Sequence, residues 1–283
     1  MFRKPGDLLR GYTKISSLST IYTRLNEVIN SPKASMLDIG KIIRDDPGLT
    51  ARLLRIVNSA FYGFPSKIDT VTRAVVIVGL QQVRDLTMAT SIVNLFKGIP
   101  KHLVSMESFW RHSIACGVAA RILATYRRET NVERFFVAGM LHDIGRIIIN
   151  TKIPDQARET ILRCESSGEL LYMVEREVIG FDHAAVGQAL LQSWNLPHSM
   201  QEVVAYHHNP CGARHFPIET AIIHVADIIA HAMQFGTSGE RFVPPLDEEA
   251  WKSIGLPESI LSPTLDQLDR QLTDVARTIL QEA

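Results

Sequence analysis

Apolar residues recur at spacings of three and four along almost the whole chain, and this period constrains the fold more than any other feature. In the segment 106–126, Phe109, Cys116 and Leu123 fall on one stripe at such spacings. Similar patterns predict further helices over 71–79, 83–96, 132–144, 182–194, 199–208 and 219–235. Strand-like sequence is confined to short runs such as 147–149. Because a helix brings residues three and four apart onto one face, the pattern predicts an all-α fold.

Three sequence signals predict where helices begin or end. Asp46 precedes a proline and is typical of a helix start, because its carboxylate caps free N–H groups and proline loses no bond there. Gly145 predicts a left-handed cap that ends the helix before it. Ser199, with Glu202 three residues later, predicts a capping box at another helix start.

The chain divides near Pro100 into two parts of unlike charge. Residues 1–100 hold fourteen Lys and Arg against seven Asp and Glu, whereas residues 101–283 hold sixteen against twenty-three. All ten histidines follow residue 100. We therefore predict an N-terminal helical lobe over 1–100, a helical bundle over 101–238, and a loop with a C-terminal helix over 239–283.

The C-terminal segment carries a regular apolar stripe. Its members are Leu265, Leu268, Leu272, Val275 and Ile279. The stripe covers about two heptads, whereas a coiled coil needs about three to four. A final helix docked on the body is therefore favoured over a coiled coil.

The overall charge disfavours some classes of function. Thirty basic and thirty acidic residues give a formal net charge of zero, which argues against a generally basic nucleic-acid binder or membrane-surface protein. The basic residues of the N-terminal lobe are scattered among its helices. A solvated helical face explains them better than a nucleic-acid surface does.

Cysteine content and apolar runs indicate the compartment. The three cysteines are few and far apart, which fits a reducing interior. The N-terminus shows no apolar leader, and no apolar run approaches the ~18 residues of a membrane helix. We expect a cytoplasmic protein without membrane spans.

Seven histidines and aspartates lie in or at the edge of apolar helices, where an unpaired polar group is costly. They are His112, His142, Asp143, His183, His207, His208 and Asp227. Imidazole and carboxylate together are suitable ligands for first-row transition metals. One hypothesis is a site for one or two divalent ions such as Fe, Mn or Zn. The other is a set of hydrogen-bonded core residues without metal, and the spacing leaves both open.

Two adjacent pairs, His142–Asp143 and His207–His208, would have to meet across helices to form such a site. Gly139, one turn before the first pair, removes a side chain that would block a close approach. On neighbouring helices the pairs would supply two ions roughly 3.5–4 Å apart, a spacing used for in-line attack on phosphorus.

The remaining histidines have simpler explanations. His198, His215 and His231 are predicted to be hydrogen-bonded core residues, and His102 a surface residue. His224 shares the helix face of the last candidate ligand, and a supporting or structural role is predicted for it.

The segment 141–145, Leu-His-Asp-Ile-Gly, resembles the signature of the HD superfamily of metal-dependent phosphohydrolases. Other segments are similar to the HDOD family, the HD-related output domains: 43–50, 53–60, 74–80, Gly187, 194–197 and 207–210. The similarity covers about residues 15–235. It implies an N-terminal helical lobe packed on an HD-like helical bundle. It also implies bacterial signal transduction, in which such domains act as output modules, alone or attached to receiver or other sensory domains.

The resemblance also assigns roles to the candidate ligands. Four of them match the His, His-Asp, Asp pattern of HD proteins position by position: His112, His142, Asp143 and Asp227. Three match the additional ligands of the related HD-GYP phosphodiesterases: His183, His207 and His208.

Two departures from HD-GYP enzymes bear on catalysis. Arg146 follows the His-Asp-Ile-Gly run where those enzymes usually have lysine, and its planar fork contacts phosphate differently from a lysine point charge. No Gly-Tyr-Pro loop follows His208, so the usual cyclic-di-GMP recognition element is missing.

Two hypotheses for function follow. In the first, the chain is a signalling output module that binds a protein, such as a kinase, receiver or regulator, or a nucleotide ligand. In the second, it is a metal-dependent phosphohydrolase of a nucleotide or cyclic nucleotide, with Asp143 catalytic and Arg146 or Lys152 contacting phosphate oxygens. The first is favoured, because a complete ligand set indicates metal binding and not turnover. The sequence leaves open whether the chain is an enzyme and whether it forms a homodimer.

Overall fold

Every regular element of the computed structural model is helical within residues 4–10, 20–29, 36–96 and 104–280, the part of the chain that the structure describes. A 3-10 turn at Pro5–Leu9 precedes five helices: α1 Thr20–Ile29, α2 Met36–Arg44, α3 Pro47–Val57, α4 Val71–Val78 and α5 Leu80–Leu95. Ten more helices follow: α6 Met106–Tyr126, α7 Glu133–Leu141, α8 Ile144–Lys152, α9 Pro154–Ser167, α10 Leu171–Val178, α11 His183–Ser193, α12 His198–Tyr206, α13 Pro217–Ala232, α14 Glu248–Ile254 and α15 Leu261–Leu280. The all-α prediction is confirmed, and the strand-like run 147–149 is part of α8.

Helix α6 is the centre of the second half of the fold. It packs against α7, α13 and α15. Most of its side chains are buried, including Phe109, Cys116 and Leu123 of the predicted stripe and the candidate ligand His112. Because other helices cover α6 on several sides, the stripe faces those helices. The same packing buries the polar side chains of α6.

The N-terminal lobe packs on this bundle through α5 and through the loop after α3. The Phe61 and Phe136 rings meet edge-on, with centroids 4.9 Å apart. The Arg121 guanidinium lies 4.0 Å from the centroid of the Phe61 ring and donates a hydrogen bond of 2.9 Å to the Phe61 carbonyl oxygen. The Tyr62 hydroxyl donates to Glu133 at 2.9 Å. The predicted arrangement of a helical lobe on a helical bundle is confirmed.

The predicted domain boundary at residue 100 and the predicted surface residue His102 lie in the segment 97–103, outside the described residues. The division into units over 1–100, 101–238 and 239–283 therefore stays a prediction.

The longest described helices are α6 and α15, with 21 and 20 residues. Leu268, Leu272 and Val275 of α15 are buried, and this helix packs against α3 and α6. The C-terminal segment is thus a helix docked on the body, as its apolar spacing predicts. Within the described ranges, no helix is both long enough and apolar enough to cross a membrane.

Two of the predicted helix starts differ in outcome. Asp46 caps α3 by accepting a hydrogen bond of 2.9 Å from the Leu49 N–H, so this prediction is confirmed. The capping box of Ser199 and Glu202 is wrong, since no side chain caps α12. Glu202 instead accepts hydrogen bonds from the backbone N–H groups of residues 214–216. Three donors from one loop satisfy the buried carboxylate better than a single N–H at its own helix end.

Gly145 does not end a helix, contrary to the sequence prediction. Helix α7 ends at Leu141 and α8 begins at Ile144, so Gly145 lies in the first turn of α8. A Cβ atom at this position would lie 2.0 Å from the carbonyl oxygen of His183 and 2.7 Å from the amide nitrogen of Gly187, both on α11. The close approach of α8 to α11 is therefore what requires glycine.

The Gly145→Ala variant is expected to lose about 1–3 kcal/mol of unfolding free energy, because α8 and α11 must move apart to admit the methyl group. Chemical denaturation measures this loss. Gly6→Ala is the matched control, since a Cβ atom there meets no other atom within 4 Å. Equal stability of Gly145→Ala and the wild type would contradict the close helix contact.

Candidate metal centre

Seven predicted ligands from five parts of the chain meet in one cluster. They are His112 on α6, His142 and Asp143 between α7 and α8, His183 at the start of α11, His207 and His208 after α12, and Asp227 on α13. His208 is partly buried, and the other six are buried. The close contact of α7 with α6 allows this convergence, since a Cβ atom on Gly139 would lie 2.7 Å from the Gly117 Cα.

The first donor group consists of His112, His142, Asp143 and Asp227. Asp227 Oδ1 lies 3.1 Å from His112 Nε2 and 3.2 Å from His142 Nε2. Asp143 Oδ2 lies 3.2 Å from His142 Nε2 and 3.7 Å from His112 Nε2. Donor atoms bound to one ion at about 2.1 Å are about 3.0–3.4 Å apart at octahedral or tetrahedral angles. Most of the separations in this group suit a shared ion.

The second donor group consists of Asp143, His183, His207 and His208. Asp143 Oδ1 lies 3.0 Å from His183 Nε2 and 3.6 Å from His207 Nε2. The Nε2 atoms of His183 and His208 are 2.9 Å apart. Tyr172 stacks on the His208 ring, with centroids 4.3 Å apart, and so covers the one partly exposed ligand.

Asp143 is the residue that the two donor groups share. Its Oδ2 faces His142 of the first group at 3.2 Å, and its Oδ1 faces His183 of the second group at 3.0 Å. The two oxygens of one carboxylate therefore face different groups, and Asp143 would be shared if an ion occupied each group.

Hydrogen bonds on the outer side of two imidazole rings orient them toward the cluster. His142 Nδ1–H donates to the Gly139 carbonyl oxygen at 2.6 Å, and His207 Nδ1–H donates to that of Val204 at 2.8 Å. A carbonyl oxygen only accepts, so these bonds assign the proton to Nδ1 in the neutral ring. The Nε2 lone pair then remains for a metal ion.

Glu175 on α10 supports His183 in the same way. Its Oε2 lies 2.6 Å from His183 Nδ1 and accepts a hydrogen bond of 2.9 Å from the His183 backbone N–H. A carboxylate behind a ligating histidine fixes the ring and raises its basicity. No sequence signal marks Glu175, because it stands in the charged run 175–177, which is typical of an exposed helix face.

Arg146 is engaged by the protein itself. Its side chain is fully buried, pairs with Glu175, and donates from Nε to the Ser238 carbonyl oxygen at 3.1 Å. Nη2 has no partner in hydrogen-bond geometry among the described residues. This placement does not support the predicted contact with phosphate oxygens, because the guanidinium is buried and already paired with Glu175. Lys152, the alternative phosphate contact, is the last residue of α8.

Several buried polar atoms of the cluster have no partner in hydrogen-bond geometry among the described residues. They are both ring nitrogens of His112, Nε2 of His142, Nε2 of His207 and Oδ1 of Asp227. Buried polar groups are almost always satisfied, and each unsatisfied one costs about 1–3 kcal/mol. A cation between the inward nitrogens and carboxylate oxygens would satisfy them together, so the donor set fits a transition metal ion.

Opposite charges within the cluster keep its carboxylates ionised. Burial by itself raises the pKa of Asp143, but His142 and His183 outweigh it and hold that pKa well below its usual range. The pKa of Asp227 is likewise lowered, since the charges of neighbouring histidines outweigh burial. Burial lowers the pKa of His183, but Glu175 and Asp143 outweigh it and raise the pKa to about 10. A metal ion bound to His183 must therefore displace a proton.

Three other histidines lie around the centre or apart from it. His224 donates from Nδ1 to the His207 carbonyl oxygen at 2.8 Å and accepts at Nε2 from the Asp247 N–H at 3.0 Å, which is a supporting contact. His198 and His215 are exposed, with ring centroids 5.5 Å apart. The prediction that these two belong to the core is wrong, because they lie at the surface beside the start of α12.

Cys116 and His231 also border the first donor group. Cys116 lies one turn after His112 on α6, and its sulfur is within 4.8 Å of donor atoms of His142 and Asp227. His231 Nε2 lies 3.3 Å from Asp227 Oδ1, so His231 is more than the core residue that the sequence predicts. The spacing contains a signal for this contact, since Asp227 and His231 are four residues apart on one helix face.

Several known proteins are similar to this chain. A family model described as the HDOD domain matches residues 15–210. Among solved structures, an HDOD domain protein of unknown function from Geobacter sulfurreducens is 23% identical, with a TM-score of 0.75, and the match covers 93% of this chain and 91% of that one. A proposed phosphohydrolase from Shewanella amazonensis SB2B is 24% identical, with a TM-score of 0.65 and coverage of 97% and 93%.

A curated relative from Treponema pallidum (strain Nichols), an uncharacterized protein, is 24% identical over 267 residues, or 94% of this chain. The chain spans about half of that relative, 49% of its length. A proposed signal transduction protein from Marinobacter aquaeolei VT8 is 19% identical with a TM-score of 0.72, and the match covers 93% of this chain and 59% of that one. The likeness to these solved structures, all below 25% identity, shows a shared fold.

Proposed function

Because this chain belongs to the HDOD family, we propose that it is a signal-transduction output module that holds divalent transition metal ions in its His/Asp centre. It acts by binding a signalling protein, such as a kinase, receiver or regulator, or a nucleotide ligand. The observation that carries the proposal is a set of seven clustered ligands, four of which have buried inward-facing atoms with no partner in hydrogen-bond geometry among the described residues: His112, His142, His207 and Asp227. Such a set is costly without a cation and is satisfied with one.

Two ions are proposed, one in each donor group, and Asp143 is shared between them. The unshared ligands are His112, His142 and Asp227 for the first ion, and His183, His207 and His208 for the second. Fe, Mn and Zn are suitable, because each accepts imidazole and carboxylate ligands. Ions of this kind, when bound, activate water and polarise phosphoryl oxygens at neutral pH.

Burial favours binding over turnover as the main function. His112, His142 and His207 are fully buried. The arginine that follows the His-Asp-Ile-Gly run, Arg146, is paired with Glu175. A phosphohydrolase needs access for its substrate and positive charge for the phosphate. The centre is therefore better suited to a metal-dependent structural or sensing role within the module.

A metal-dependent phosphohydrolase of a nucleotide or cyclic nucleotide is the second candidate. The position of Asp143 between the two donor groups favours it, because paired ions bridged by one carboxylate are common in phosphoryl transfer. In that reaction Asp143 would hold both ions, and His208 would be the ligand nearest to the surface, beneath the ring of Tyr172.

Metal analysis of the purified protein tests the proposal. One to two Fe, Mn or Zn ions per chain are expected, and their removal is expected to lower the thermal midpoint. The loss of unfolding free energy should be about 2.7 kcal/mol when free metal is a hundredfold above its dissociation constant. Less than about 0.2 ion per chain after reconstitution with each of the three metals would contradict the metal centre.

Activity assays separate the two candidates. Hydrolysis of cyclic dinucleotides or nucleotides by the metal-loaded wild type, and its absence in Asp143→Ala, would favour the phosphohydrolase. Bound metal without turnover would favour the output module. So would capture of a kinase or receiver protein, if substitutions in the N-terminal lobe abolish that capture.

A further inference from the structure

His231 is a partly buried histidine that lies beside two members of the first donor group, His112 and Asp227. Its side chain is 7% exposed, and it follows Asp227 by one turn of α13. The His231 and His112 ring centroids are 4.4 Å apart. Donor atoms of His112, Asp227 and His231 lie within 4.8 Å of one another, so the three form a cluster of their own.

Three imidazole nitrogens surround a single carboxylate oxygen, Asp227 Oδ1. The Nε2 atoms of His112, His142 and His231 lie 3.1, 3.2 and 3.3 Å from it. Among the described residues, this oxygen has no partner in hydrogen-bond geometry, so a hydrogen bond from His231 does not explain the arrangement. Separations of this size are those of donor atoms around one ion with bonds of about 2.1 Å.

A cavity of about 520 Å³ adjoins His231. Its wall includes Ser105 and Ser108 at the start of α6, and Gln234 and Thr237 just after α13. Of the described residues, only His231 belongs both to this wall and to the metal-ligand cluster. His231 is therefore the side chain through which the cavity meets the first donor group.

We propose that His231 is a fifth protein ligand of the first ion, bound on the side of the cavity. This inference rests on the proposed metal centre. It gives the ion three imidazole nitrogens and two carboxylate oxygens, which leaves one position in a six-coordinate geometry. A small ligand that reaches this ion from the cavity takes that position or displaces His231.

The test uses the full chain loaded with Co²⁺, whose visible absorption reports the number and type of ligands and whose binding is measured by chelator titration. The wild type is expected to hold two cobalt ions. His231→Ala should hold the first ion at least about tenfold more weakly, with altered visible absorption. Free imidazole should restore both properties, because the cavity admits it to the vacated position.

A second variant and a control complete the experiment. His231→Gln keeps an N–H group near Asp227 but supplies a poor metal ligand, so its affinity for the first ion should fall as in His231→Ala. If His231→Ala does not fold, His231→Gln tests the ligand role by itself. His215→Ala, a change at an exposed histidine outside the centre, should behave like the wild type. Unchanged affinity and absorption in the His231 variants, or a loss in His231→Ala that imidazole does not reverse, would overturn the ligand role. A wild type that binds no metal would instead refute the proposed centre.

Discussion

The Asp143→Asn variant is expected to lose both metal ions, so its metal content falls from as many as two per chain to less than about 0.2. The side chain keeps its size but loses its charge and one of its two ligand oxygens. Oδ1 and Oδ2 face His183 and His142 at 3.0 and 3.2 Å, so one substitution weakens both donor groups. We expect the affinity for each ion to fall at least about a hundredfold, since even a supporting residue costs about 10- to 100-fold.

Metal analysis and thermal unfolding with and without added metal measure this effect. The matched control is Asp85→Asn, a buried aspartate that accepts hydrogen bonds from Arg84 at 3.0 Å and Asn131 at 3.1 Å outside the centre. The control should keep its metal even where it loses stability. Retention of one ion by Asp143→Asn would disprove the bridging role, and retention of both would disprove ligation by Asp143.

Replacing Arg146 with methionine is expected to lower the free energy of unfolding by about 3–5 kcal/mol, because it breaks a buried ion pair and leaves the Glu175 carboxylate with His183 as its one remaining partner. Arg146 and Glu175 are both fully buried, and Glu175 also holds His183 at 2.6 Å. The loss should therefore appear in denaturant unfolding of the metal-free protein, before any ligand is added. Affinity for the second ion should fall as well, since Glu175 then keeps only His183 as a partner and its carboxylate is held less firmly.

Arg163→Met is the matched control for Arg146→Met. Arg163 pairs with Glu177, but both side chains are about half-exposed, so this pair contributes no more than about 1 kcal/mol. If Arg146→Met unfolds like the control yet fails to bind phosphate compounds, the phosphate contact predicted from sequence is right and the structural role is wrong.

Much of the fold could be predicted because helical periodicity is a local property. The stripe through Phe109 and Leu123 predicts α6 closely, and the apolar C-terminal stripe predicts α15. Helices α9 and α14 lack such a signal. Helix α9 buries little beyond Ala157, Thr160 and Cys164, and α14 has only seven residues.

Errors arose where one local signal has two physical causes. Gly145 suits a left-handed helix end, but glycine also serves where two backbones approach closely, and here a Cβ atom would meet His183. Ser199 and Glu202 have capping-box spacing, but the Glu202 carboxylate finds three N–H donors in residues 214–216 instead. Sequence spacing describes neighbours along one helix and does not describe competing partners from other elements.

The candidate site, like the fold, was predictable from sequence only in part. Its residue types were visible in the sequence, because histidines and aspartates within apolar helices need partners. The sequence predicts no role at the centre for Glu175 or His231, because Glu175 stands in a charged run and His231 has the pattern of a core residue. Both lie at the centre through contacts with residues of other segments: Glu175 contacts His183, and His231 contacts His112.

The amino-acid sequence alone was sufficient for the helical fold class, the family and the chemical type of the candidate ligands. These properties depend on residue identity and on spacing within a few turns of a helix. Only the tertiary structure decided that Asp143 lies between two donor groups, that Arg146 is paired with Glu175, and that His231 adjoins both a cavity and the cluster. Ligand geometry and ion pairing depend on ångström distances between atoms from distant segments, and those distances are set when α6, α8, α11 and α13 pack together.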